Sequence, residues 1–95
     1  MINKKCIIRT YSAGVHYGTI KSREGKEVIL ENAIRIWYWS GANSLSQMAV
    51  EGVKNPESCK FSMPVAEILL TEAIEIIPCT EKAIENIEGV KPWKM

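Results

Sequence analysis

The run Arg-Ile-Trp-Tyr-Trp at residues 35–39 is the feature of the sequence most suited to binding chemistry. A guanidinium forms paired hydrogen bonds with a phosphate, and the faces of indole and phenol rings stack on nucleobases. For any single one of these rings, packing into a small core is the commoner role. Arg35 is more informative, because a charge on a central strand of a sheet needs a partner or a ligand.

Two other residues of chemical interest stand alone. His16 is the single histidine, and no Cys or Ser nucleophile lies beside it in a recognisable motif. A lone histidine in a strand is usually structural or faces solvent, so no catalytic role is expected for it. Phe61 is the single phenylalanine and follows Lys60 in a segment bounded by Pro56 and Pro64. It can either close over a ligand or fill the core.

Asp and the common catalytic and metal-binding motifs are missing from the sequence. All eleven acidic residues are Glu, which excludes Asp-based catalytic pairs, Walker-type Mg²⁺ sites and EF-hand loops. The three cysteines, at positions 6, 59 and 79, show no C-x-x-C spacing, so neither a zinc site nor a disulfide framework is expected. No glycine-rich phosphate motif or nucleophile elbow occurs. We therefore predict a binding protein without metal or cofactor, and free thiols fit a reducing cytoplasm.

Charge is distributed unevenly along the chain. The net charge is +1, yet residues 1–43 carry seven basic and three acidic side chains, whereas residues 44–95 carry five and eight. A basic half suits an anionic partner, although a solvated surface explains the segregation equally well. The excess of basic residues is too small and too scattered for a stripe that binds a nucleic-acid duplex.

The sequence shows no pattern of a membrane or targeting segment. No apolar run reaches the roughly 20 residues that cross a bilayer. No signal peptide is expected, because Ile2 is followed at once by Asn3 and Lys4.

Alternating hydrophobic residues and turn signals predict the elements that position these side chains. Strands are predicted at residues 5–11, 15–22, 27–31, 33–40 and 67–77, the last bent near Thr71, and a further short strand fits residues 60–63. Helices are predicted at residues 45–51 and 81–88, capped by Ser44 and Thr80 and ended by Gly52 and Gly89. The result is one α+β domain at residues 1–89, with an antiparallel sheet of about five strands and two short helices. A loose tail is expected at residues 90–95.

Three segments of the chain resemble a small family of phage and prophage proteins. They read RTYSAGVHYG at residues 9–18, RIWYWSGANSLSQ at residues 35–47 and EAIEIIPCTE at residues 72–81. In these segments the sequence is similar to the Thoeris anti-defence proteins of the first type.

That resemblance implies a function without catalysis. Members of the family are sponges: infected bacteria make a cyclic ADP-ribose isomer through a TIR-domain enzyme, and the phage protein binds this signal tightly and leaves it intact. The lethal effector that depends on this signal is then not activated. The resemblance also implies a homo-oligomer, a dimer or larger, with ligand pockets at subunit interfaces in the cytoplasm of the infected host. Some members additionally bind cyclic oligonucleotides.

Such a ligand contains one adenine, two riboses and a pyrophosphate, so it needs aromatic platforms, cations and small polar groups. We expect the binding residues to be Arg9, Tyr11, Ser12, His16, Arg35, Trp37, Trp39, Asn43, Ser44 and Phe61. Arg9 and Arg35 are expected to contribute most to phosphate binding, because both lie inside predicted strands next to aromatic residues. Two alternatives remain open at this point: a protein-interaction module or a nucleic-acid-binding module that inhibits a host factor.

Overall fold

The computed structural model describes residues 1–93 of the chain. The elements in this part follow in the order β1 (Lys5–Thr10), β2 (Val15–Glu24), β3 (Glu27–Tyr38), α1 (Leu45–Glu51), β4 (Lys60–Phe61), β5 (Val65–Leu70), β6 (Ala73–Pro78) and α2 (Glu81–Glu88). One turn of 3-10 helix at Pro56–Ser58 precedes β4. The predicted α+β class is confirmed, with six strands where about five were predicted.

All six strands belong to one antiparallel sheet. The strand order is β4-β3-β2-β1-β6, and β5 also pairs with β3. Because β3 is 12 residues long, two strands pair with it on the side away from β2. β5 pairs with residues 28–33, and β4 pairs with Ile36 and Tyr38. The end of β3 that carries Arg35 therefore lies between β2 and the start of the β4–β5 connection.

Two strand boundaries differ from the prediction. Residues 27–31 and 33–40, predicted as separate strands, are joined in β3 through Asn32, which has a φ of 51°. Asparagine is one of the few residues that tolerate this left-handed conformation, and the register with β2 shifts beside it, so a bulge replaces the predicted break. Conversely, the predicted strand 67–77 divides at Thr71 and Glu72 into β5 and β6, which pair with different strands.

The sheet is covered differently on its two faces. One face, here called the helix face, packs Ile7, Tyr17 and Ile36 against α1 and α2 in a shared buried cluster. The other, here called the hairpin face, carries a second buried cluster contributed by the strands, including Ile8, Leu30 and Ala73. The β2–β3 hairpin curls over that face, since the amide of Ala73 donates to the carbonyl of Lys26 at 3.0 Å. Neighbouring residues of one strand, such as Ile7 and Ile8, thus enter different cores.

Side-chain caps fix both helices where the sequence predicted them. The Ser44 hydroxyl accepts from the amide of Gln47 at 3.1 Å, and the Thr80 hydroxyl accepts from the amide of Ala83 at 3.2 Å. Thr80 also donates to the carbonyl of Val50 at 2.6 Å, which ties the start of α2 to α1. Among residues 1–93, neither helix is long and apolar enough to cross a membrane.

The segment expected to be a loose tail, residues 90–95, packs on the domain as far as the structure describes it. Val90 is buried, and its amide donates to the carbonyl of Ile87 at 3.2 Å. The amide of Trp93 donates to the carbonyl of Phe61 at 2.8 Å, so this segment lies beside β4. Lys94 and Met95 lie outside the described residues.

Candidate functional site

A groove of about 370 Å³ opens at the end of the hairpin face. Strands β2, β3 and β5, the β4–β5 connection and the C-terminal segment all contribute to it. Its lining consists of His16, Ala33, Arg35, Trp37, Ser62, Met63, Val65, Ile68 and Trp93. Of the ten residues that the sequence pointed to, the groove brings together His16, Arg35 and Trp37.

Arg35 presents the positive charge of this groove. Its backbone is held on both sides by Ser62: the Arg35 amide donates to the Ser62 hydroxyl at 2.8 Å, and the Ser62 amide donates to the Arg35 carbonyl at 2.8 Å. The side chain itself is exposed, and it forms no hydrogen bond or ion pair with another residue in the described range 1–93. Of the two possibilities that the sequence left for Arg35, a partner or a ligand, residues 1–93 supply no partner, so the guanidinium is available to an anion.

Two indole rings form the aromatic wall. The ring centroids of Trp37 and Trp93 lie 5.3 Å apart at an interplanar angle of 80°, an edge-to-face contact. Both rings keep accessible surface, at 54% for Trp37 and 39% for Trp93. The Lys60 ammonium lies 5.1 Å from the centroid of the Trp93 ring, which is a cation–π contact. Sequence reasoning missed Trp93, because no local pattern connects it to a residue on β3.

His16 forms part of the groove floor as a neutral, anchored group. Only 1% of the residue is exposed, and its Nε2 donates to the carbonyl of Ala13 at 2.9 Å. Burial lowers the pKa of His16, and the positive charge of Arg35 lowers it further, against the opposing effect of the bond to Ala13. The ring therefore supports the β1–β2 connection.

Arg9, Tyr11 and Ser12 lie away from the groove. Arg9 shares the helix face with Ile7, and its Nε donates to Glu75 at 3.2 Å. Tyr11 is 78% exposed in the β1–β2 connection, and the Ser12 hydroxyl donates to the Glu72 carboxylate. The two arginines expected to contribute most to phosphate binding thus lie on opposite faces of the sheet.

The remaining predicted residues also lie elsewhere. Asn43 and Ser44 are at the start of α1, where the Asn43 amide donates to the Gln47 side chain at 2.8 Å. Trp39 is half-buried against the helix-face cluster. Phe61 is 1% exposed inside that cluster, so of the two roles considered for it, core packing and closure over a ligand, the structure shows core packing. Its ring fills the core because β4 pairs with β3 at Ile36 and brings the ring onto the helix face.

The chain matches the model of one protein family. A family model described as Domain of unknown function (DUF6948) matches residues 3–87. The chain belongs to the DUF6948 family. The matched range includes Arg35 and Trp37 and ends before Trp93. Comparison of this DUF6948 member with curated proteins and with solved structures found no match.

A second polar cluster in this DUF6948 member lies on the helix face. The Tyr17 hydroxyl donates to Glu88 Oε2 at 2.7 Å, and the Lys5 ammonium contacts the same oxygen at 2.8 Å. Burial raises the pKa of Tyr17, as does the Glu88 carboxylate. Burial alone would raise the pKa of Glu88 too, but the hydrogen bonds from Lys5 and Tyr17 outweigh it and lower that pKa. The cluster fastens the end of α2 to the sheet.

The thiols of this DUF6948 member are free and mostly buried. Cys6 and Cys59 are buried and Cys79 is half-buried. Burial raises the pKa of Cys6, and it raises the pKa of Cys79 to about 12, so both remain protonated near neutral pH and are poor nucleophiles. Within residues 1–93, no group of three His, Cys, Asp or Glu side chains is arranged to hold a metal ion.

Proposed function

We propose that this protein is a phage anti-defence sponge that binds a cyclic ADP-ribose isomer and sequesters it without degrading it. The proposal joins the sequence resemblance to one structural observation. The guanidinium of Arg35, which has no ionic partner among residues 1–93, stands in the same groove as the accessible rings of Trp37 and Trp93. This is the combination that a ligand with both phosphate and purine requires.

The groove offers a place for each part of such a ligand. Arg35 pairs with the pyrophosphate in this proposal, and the face of Trp37 or Trp93 stacks on the adenine. Met63 and Val65 extend the wall with apolar surface. Both side chains are about half exposed, at 52% and 47%, so a bound nucleotide would cover apolar area that water now touches.

The chemistry of the surrounding side chains supports binding rather than turnover. His16 is buried and its Nε2 proton is held by Ala13, so it is poorly placed to exchange a proton with a ligand. The thiols of Cys6 and Cys79 are kept protonated by burial. A sponge needs neither a general base nor a nucleophile, because tight binding alone removes the signal.

We also propose that the protein works as a homo-oligomer, a dimer or larger, in the cytoplasm of the infected host. Exposed apolar side chains of the groove support this: Trp37, Met63 and Val65 line it and are each about half exposed. A second subunit would bury this surface and complete an open groove. Light scattering at micromolar concentration is expected to give at least twice the 10.7 kDa chain mass, and a monomer would contradict the oligomer.

A protein-interaction module is the second candidate, and one observation favours it. Within residues 1–93, β6 pairs only with β1, and an apolar groove of about 290 Å³ beside it is lined by Ile2, Ile74 and Ile76, among others. The edge of β6 beyond Ala73, whose amide donates to Lys26, lies next to this apolar groove and suits an extended peptide that adds to the sheet. Capture of one host protein by the wild type, lost on substitution of Ile74 by Asp, would favour this candidate.

The deciding experiment is recovery of intact ligand. The protein is incubated with the purified cyclic product of a TIR-domain enzyme, free ligand is removed by filtration, and the protein is denatured by heat. We expect the released compound to be the unchanged cyclic isomer, in an amount that follows the protein added, with heat-denatured protein as the control. Linear ADP-ribose that accumulates with time would show an enzyme, and no recovered nucleotide would rule out the sponge.

A further inference from the structure

The three residues that follow the buried anchor Val90, residues 91–93, form a short strap on the domain surface. Lys91 and Pro92 are exposed, and Pro92 has no amide hydrogen to donate. Within residues 1–93, the strap is attached by one backbone hydrogen bond, from the Trp93 amide to the Phe61 carbonyl at 2.8 Å. An exposed segment fixed at so few points moves more easily than the strands beneath it.

The indole of this strap stands between two grooves. On one side it lines the Arg35 groove, of about 370 Å³. On the other side it lines a groove of about 460 Å³, formed by the strap together with Pro56, Glu57, Cys59 and Gly89. Because one side chain borders both spaces, a displacement of Trp93 changes the width of the Arg35 groove.

The side-chain contacts that hold the indole in place come from β3 and β4. Trp37 meets it edge-to-face with a centroid distance of 5.3 Å, and the Lys60 ammonium lies 5.1 Å from the ring centroid. Both contacts are at least partly exposed to solvent, where aromatic and cation–π contacts are weak. The strap therefore has a defined closed position that a modest perturbation can open.

We infer that the strap is a gate on the Arg35 groove, with Trp93 as the movable wall and Lys60 as its latch. This inference rests on the proposed nucleotide binding at that groove. A ligand enters when the indole leaves Trp37 and Lys60, and the returning indole then slows its departure. Trp93 is thus a residue that controls the exchange rates of the ligand as well as its affinity.

Weakening the contact between Lys60 and Trp93 tests the gate, because the gate predicts that the association and dissociation rate constants change in the same direction. In Lys60→Met the methionine keeps a flexible apolar stem but loses the charge over the indole. We expect association and dissociation rate constants for the cyclic ADP-ribose isomer to rise together, by about two- to fivefold, in surface plasmon resonance on immobilised protein. Lys82→Met is the matched control, because Lys82 is exposed on α2 and lines none of these grooves.

A lower association rate constant in Lys60→Met would contradict the gate. If Lys60 only attracted an anionic ligand, Lys60→Met would lower the association rate constant. A second variant, Trp93→Ala, distinguishes a gate from a fixed wall: the gate predicts faster association and faster dissociation, whereas a fixed wall predicts faster dissociation alone. Association rates that fall or stay unchanged in both variants contradict the inference.

A ligand-free measurement separates this inference from the proposed function. With Trp37→Phe and Trp39→Phe as background, Trp93 is the single tryptophan, and acrylamide quenching reports its accessibility. We expect Lys60→Met to increase the quenching constant and Lys82→Met to leave it unchanged. If the wild type binds no cyclic ADP-ribose isomer, the proposed function fails, and the quenching result still decides whether Lys60 holds the strap. Equal quenching in the two variants would show that it does not.

Discussion

His16 and Arg35 are direct cross-strand partners in the β2–β3 register, yet one is buried and the other exposed. Their side chains lie next to each other on the hairpin face. The imidazole is held by Ala13 at 2.9 Å, and burial followed by the charge of Arg35 lowers its pKa. Only the guanidinium remains available for a ligand. Substitutions at the two positions should therefore have separable effects on stability and on binding.

Arg35→Ala is expected to weaken the proposed binding of a cyclic ADP-ribose isomer by tenfold or more, since a hydrogen bond to a charged group contributes about 1.5–3 kcal/mol. The melting temperature should change little, because the side chain is exposed and without a partner within residues 1–93. Arg9→Ala is the control: Arg9 lies on the other face and pairs with Glu75 at the surface, an interaction worth less than about 1 kcal/mol. Calorimetric titration and thermal melting measure both quantities. Equal affinities for the two variants would place the phosphate site outside this groove.

Trp37→Ala is expected to reduce affinity by a factor that corresponds to about 1–3 kcal/mol, the contribution of stacking one base on an aromatic side chain. Trp37→Phe keeps an aromatic face and should recover part of this loss. Tyr38→Ala tests specificity, because Tyr38 is equally exposed but does not line the groove. If Tyr38→Ala reduced affinity more than Trp37→Ala, the base would bind on the opposite face of β3.

Stability is expected to decrease as the pH falls below about 6.5, the ordinary pKa of histidine. The folded state keeps His16 neutral because its pKa is lowered, so in that range the unfolded chain binds more protons, and acid favours unfolding. Stabilisation is complete above pH 6.5 and is lost progressively on acidification. His16→Gln should remove this dependence between pH 5 and 7, measured as the urea midpoint at each pH. An equally steep dependence in His16→Gln would assign it to another group.

Phe61→Ala is expected to lower the free energy of unfolding by about 3–5 kcal/mol, the usual effect of removing a buried ring. Phe61→Leu keeps apolar volume and should be folded at room temperature with unchanged ligand affinity. Chemical denaturation and titration of both variants check this. If Phe61→Ala stayed stable but no longer bound ligand, Phe61 would contact the ligand instead of filling the core.

Local sequence signals determined the helices and several turns. Ser44 with Gln47, and Thr80, predicted both helix starts, because a capping bond joins residues only three positions apart. Gly52, at a φ of 79°, ends α1 as predicted. Sequence also identified Arg35 and Trp37 as candidates, since their chemistry depends on residue type.

Tertiary structure alone decided which candidates share a site. Strand alternation and the pairing of β1 with β2 place Arg9 and Arg35 on opposite faces. The left-handed backbone at Asn32 keeps β3 continuous to Tyr38. Trp93 reaches Trp37 only because the chain after α2 returns to β4. These relationships depend on contacts between residues distant in sequence, and the free energy of such contacts comes from packing and pairing that no local pattern records.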